Sequence, residues 1–107
     1  MEEKKKNYRV DKKVVINLVK NSLAKIEGIY SLKKNLWREE IKIKEKETEM
    51  EIELGLIVKE GCYIPQIVQQ AQKDVKEEIE KTLGIPVTKI NIRIRGIKSL
   101  KRTNQGG

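Results

Sequence analysis

Cys62 lies in the run Gly61-Cys62-Tyr63-Ile64-Pro65, and it is the only cysteine of a chain that has no histidine. A thiol or hydroxyl nucleophile needs a base beside it, so neither a Cys-His nor a Ser-His pair can form. No zinc site has its usual ligands, and a disulfide would have to join two chains. Without histidine or a second cysteine, Cys62 reads as a small buried hydrophobe rather than a redox contact. The acids cluster at Glu39-Glu40 and at Glu77-Glu78-Glu80, but among lysines and without the ordered spacing of a calcium loop. They read as solvated faces. The turn at residues 61–66 enters a helix with no Ser, Thr, Asp or Asn at its cap, and free amide hydrogens there could hold a phosphate or carboxylate. A phosphate-cradling loop would carry more glycine, so satisfaction by backbone or water is the plainer reading. No acid–base pair and no cofactor motif is visible, so the reading assigns no catalytic, cofactor-binding or metal-ligating residue.

The remaining polar chemistry is basic. The net charge is +8, and most of the excess sits at the ends: residues 1–13 carry a net +3 and residues 98–107 another +3. Such ends solubilise, or make weak contacts with nucleic acid or acidic surfaces. Within the chain, Lys42, Lys44, Arg93 and Arg95 alternate with apolar residues on two extended segments, which makes them the candidate partner-binding face. The aromatic residues are Tyr8, Tyr30, Tyr63 and Trp37, too few for the stacking platform of a single-strand binder. Reduced cysteine usage suits a cytoplasmic protein. No run approaches a membrane span, and the start is too polar for a signal peptide.

The elements that must position these residues follow from periodicity. Asp11 can cap a helix over residues 11–26, in which Val15, Leu18, Val19, Ser22, Leu23 and Ile26 share a face that Val14 and Ile16 broaden. Gly28 is its stop. Residues 29–39 have no clean period: a short strand near 28–32 and then a loop, with Trp37 either a lid on the core or part of a contact surface. Residues 40–46 alternate Ile41 and Ile43 against Lys42 and Lys44. After a turn at Glu47-Thr48, Met50, Ile52, Leu54, Leu56 and Val58 oppose Glu49, Glu51 and Glu53, so the two segments form an antiparallel hairpin. Gly55 and Ile57 break the acidic face and suggest a bulge or a cover there. From Pro65 a second helix carries Ile64, Ile67, Val68, Ala71, Val75, Ile79 and Leu83 on one stripe, with Glu77 and Lys81 as a supporting pair. Gly84 and Pro86 end it. The last strand sets Ile90, Ile92 and Ile94 against Asn91, Arg93 and Arg95.

The order α-β-β-α-β predicts a two-layer α+β domain: a small, mainly antiparallel sheet with two amphipathic helices on one face. Residues 1–9 form a basic N-terminus, 10–97 a single domain and 98–107 a basic, disordered tail. On the other sheet face, rows of Lys42 and Lys44, of the glutamates, and of Arg93 and Arg95 would pair across strands. That is either a solvated charged face or a docking face for a charged partner.

The register of Gly61, Ile64-Pro65, Val68, Gln72, Val75 and Ile79, then Gly84-Ile85 and the strand from Val87 to Ile94, resembles the alkaline shock protein family of Gram-positive bacteria. Ala24-Lys-Ile-Glu-Gly-Ile is similar to that family's first-helix ending. The resemblance spans residues 10–97 and is sharpest in the second half. Glu60 stands where the family has an aromatic residue, and Arg93 where it often has histidine. The resemblance implies a non-enzymatic, cytoplasmic protein of the cell-envelope stress response that needs no cofactor. It would act as a homo-oligomer or scaffold and in some members be held at the membrane by a separate anchor protein. The alternative is an RNA-binding, KH-like module using the basic ends and Arg93 and Arg95. That module needs a G-x-x-G clamp between helices, and no pair of glycines here supplies it.

Overall fold

The computed structural model describes residues 10–30 and 40–99. Helix α1 (Lys12–Ala24) starts where Asp11, in an extended conformation, accepts a 2.9 Å hydrogen bond from the Lys13 amide. One turn of apolar spacing then buries Val15, Val19 and Leu23, with Ser22 alongside, while Val14 stays 44% exposed. At Gly28 the backbone turns through φ +101°. Residues 28–30 then run beside the end of the second strand: Lys59 N donates to Gly28 O and Tyr30 N to Ile57 O, both at 2.8 Å. Of the short strand expected near residues 28–32, the described residues form a bridge, Ile29 to Val58. Trp37 and the rest of residues 31–39 lie outside the described residues, as do Tyr8 and most of the basic ends.

Strand β1 (Ile41–Glu45) and strand β2 (Met50–Lys59) form the expected antiparallel hairpin, with Ile43 opposite Ile52. Helix α2 (Ile64–Leu83) presents Ile67, Ala71, Val75 and Ile79 at three- and four-residue steps, all buried. Gly84 caps it in the left-handed conformation. Strand β3 (Val87–Lys98) then returns along β2, one residue into the stretch expected as tail. The sheet order is β1-β2-β3.

The α+β class and the element order are as the sequence predicts, but the sheet is mixed rather than mainly antiparallel. β3 pairs parallel to β2. A helix carrying the chain from the end of one strand back to the start of its neighbour is the crossover that parallel strands require. In the other layer, α1 and α2 pack on each other and on one sheet face. The core joins their stripes to Met50, Ile52, Leu54, Leu56 and Val58, each no more than 2% exposed. The supporting pair is also different: Glu77 contacts Lys73 at 3.6 Å instead of Lys81.

Candidate functional site

The sheet face turned away from α1 and α2 carries the charged rows. Register places Lys42 opposite Glu53 and Lys44 opposite Glu51 across the hairpin. On the other side Glu51 faces Lys89, Glu53 faces Asn91, and Gly55 faces Arg93. The four basic residues singled out from the sequence therefore share a face but not a patch. Lys42 and Lys44 form one flank, Arg93 and Arg95 the other, and the acidic row of β2 divides them. Lys46 closes the hairpin end with a 3.0 Å ion pair to Glu51. Their mutual hydrogen bond raises the lysine's pKa and lowers the glutamate's.

Gly55 shows why the acidic row stops where it does. Arg95 Nη1 reaches across β2 to Glu40 just ahead of β1, donating to both carboxylate oxygens at 3.0 and 3.2 Å. A β-carbon on Gly55 would collide with the Glu40 carboxylate and lie 2.9 Å from Arg95 Cγ. Glycine is needed here for close approach of an ion pair that ties β1 to β3 over the central strand. The extra residue in β3 opposite Leu56 and Ile57 belongs to the same feature, since a bulge re-aims the side chain beside it. Gly55 and Ile57 signalled a bulge or a cover on β2; the structure has the cover, while the bulge is in the neighbouring strand, where Arg95 is the extra residue of β3. Glu40 as the partner of Arg95, 55 residues away, had no local signal.

The start of α2 is poorly furnished for an anion. Pro65 has no amide hydrogen, and the Gln66 and Ile67 amides both donate to Tyr63 O at 3.2 and 3.3 Å. Glu27, Glu60 and Asp74 line the adjoining groove together with Lys25 and Lys59. Cys62 is half-buried and packs against the core, as a small hydrophobe does. Among the described residues no group of acidic or thiol side chains could hold a metal ion. None of the described helices is long and apolar enough to cross a membrane.

The junction of α2 with β3 is a polar clamp. Lys76 Nζ donates to Glu80 Oε2 at 2.7 Å and to Val87 O at 3.1 Å, while Val87 N donates to Glu80 Oε2 at 2.9 Å. The bond from Lys76, and after it the Val87 amide, lower the Glu80 pKa below its ordinary 4.5. A carboxylate with a depressed folded-state pKa contributes stability that is complete above the unfolded value and lost as pH falls through the folded one. Glu80→Gln is therefore expected to lose less thermal stability than the parent between about pH 6 and about pH 3. Equal losses in melting scans would remove the clamp from the acid response.

Over 82 residues the chain is 24% identical to YloU, an uncharacterized protein of Bacillus subtilis (strain 168), a match covering 77% of this chain. It covers 64% of YloU, so the chain spans a little under two thirds of the relative it matches. No solved structure matches. The glycine register, the Ile-Pro helix start and the alternating last strand agree with a match over residues 1–99, and the chain belongs to the alkaline shock protein 23 family, of cell envelope-related function.

Proposed function

We propose that the protein serves this cell envelope-related role without catalysing a reaction, by self-association and by contact with other proteins. The observation that carries the reading is the sheet face turned away from α1 and α2, where a basic row on β1 lies beside an acidic row on β2. Two copies stacked face to face in register would oppose like charges. Offset by about 4.8 Å, one strand spacing, each copy sets Glu51 and Glu53 against the other's Lys42 and Lys44. Rows of complementary charge select that register and suppress others. On the β3 flank Arg95 is held by Glu40, and Arg93 is then left for a different partner. A cytoplasmic location, with attachment to the membrane through a separate anchor protein, completes the proposal. Nothing in the geometry favours the RNA-binding alternative: the basic flanks are split by carboxylates that would repel a phosphate backbone.

Light scattering across concentration tests the self-association. The parent should associate, and the double substitution Lys42→Glu with Lys44→Glu should weaken association at least about tenfold, as should a rise to about 1 M salt. A chain that stays monomeric to about millimolar concentration would remove the reading.

A further inference from the structure

Among the described residues β3 is an edge strand of 12 residues, and its outer side is closed only at its beginning. There the side chains of α2 stand in for a neighbouring strand. Glu80 and Lys76 take the amide and carbonyl of Val87, and Gln72 Nε2 donates to Ile90 O at 3.1 Å. The bond to Ile90 shows that this residue turns its backbone groups away from β2. Strand alternation gives Ile92 and Ile94 the same orientation, up to the bulge. Among the described residues nothing pairs with their outward amides and carbonyls. The side chains of Ile90, Ile92 and Ile94 lie on the helix side of the sheet and are only half-buried, and Ile97 is 60% exposed. The opposite side of the same strand carries Lys89 and Arg93, which make no ion pair among the described residues.

We propose that this edge accepts an extended acidic segment of another protein as a fourth strand, its apolar side chains over Ile92 and Ile94 and its carboxylates against Lys89 and Arg93. The required pattern, apolar alternating with acidic, is the one β2 already presents to the inner side of β3: Met50-Glu-Ile-Glu-Leu54, with Glu51 opposite Lys89. Charge decides against the other occupants. A second copy pairing β3 with β3 would place Lys89, Arg93 and Arg95 among their own kind, and like charges directly opposite are destabilising. Residues 1–9, 31–39 and 100–107 each carry net positive charge as well. The basic side chains that guard the edge against self-pairing thus select an acidic partner. Main-chain bonds supply affinity in such strand addition, and alternate side chains supply specificity. The proposal does not depend on self-association through β1 and β2.

The test uses the full chain and a labelled synthetic peptide alternating glutamate with valine and isoleucine. Saturable binding should shift the Ile92 and Ile94 amides in NMR spectra and slow their hydrogen exchange. Methylating the peptide's backbone nitrogens on one edge should weaken binding at least about tenfold, since it removes the main-chain bonds and leaves the charge. Replacing glutamate by lysine in the peptide, or Arg93→Glu in the protein, should weaken it by about fivefold or more. Ile92→Pro should keep the fold, because an edge strand tolerates proline where its amide faces solvent, and should abolish binding. Binding indifferent to N-methylation, shifts confined to the basic ends, or concentration-dependent protection of the same amides without peptide would each overturn the proposal.

Discussion

Ile52→Ala is expected to cost about 3–5 kcal/mol of folding stability, and Ile92→Ala about 1 kcal/mol, although both isoleucines alternate with polar residues on neighbouring strands. The difference lies in what surrounds them. Ile52 is fully buried in the central strand, opposite Ile43 on one side and Ile90 on the other, beneath both helices. Truncation there leaves a cavity that rigid neighbours on every side cannot fill, so the transfer and cavity costs add. Ile92 sits on the edge, half-buried, where water can reach the space left by its missing atoms. A domain of this size has about 5–15 kcal/mol of stability in all, so Ile52→Ala removes a large part of it and should show a depressed urea midpoint at unchanged slope. Equal costs at the two positions would mean that the β3 edge is covered, and would count against strand addition there as well.

That contrast also marks where sequence patterning stops being informative. Alternation reports which side of a strand an isoleucine occupies, and for Ile52 and Ile92 alike it gave the correct side. It does not report whether the strand is central or at an edge, which depends on sheet order and so on pairing between distant segments. The direction of β3 was implicit in the strand–helix–strand order, since a single crossover helix makes its two strands parallel. The caps, the helix stripes and the hairpin were legible because each is a relation among residues a few positions apart. The Glu40–Arg95 pair over Gly55 was not, because it joins residues 55 positions apart across a third strand. The charged face was half legible for the same reason. Lys42 and Lys44 could be placed opposite glutamates from the hairpin alone. The row of Arg93 and Arg95 could be set beside the glutamates too, and the sheet order β1-β2-β3 agrees, but which residues of β2 and β3 stand opposite one another required the register.

Gly28→Ala should destabilise the protein by about 2–4 kcal/mol and Gly84→Ala by about 1 kcal/mol, two glycines that end helices and look alike in sequence. Both have positive φ, +101° and +72°. Gly84 lies in the ordinary left-handed well with nothing within 4 Å of where a β-carbon would stand, so alanine meets only the backbone penalty. Gly28 lies farther from that well, and its β-carbon would fall 2.7 Å from Ile67 Cδ1 and 3.1 Å from Cys62 Sγ. Ile67 is 6% exposed in the first turn of α2 and can yield only by moving into the core. The backbone cannot yield either, because Gly28 O accepts from Lys59 N at the end of β2 while Tyr30 N holds Ile57 O. Gly28 is thus the point where the exit of α1, the end of β2 and the start of α2 meet without room for a methyl group. Urea unfolding compares the two variants, and the reaction rate of Cys62 with a thiol reagent reports locally. The thiol should react faster in Gly28→Ala, where the start of α2 is pushed outward, and at the parent's rate in Gly84→Ala. Similar stabilities and similar thiol rates would show that the junction has slack, and that Gly28 serves only as a turn.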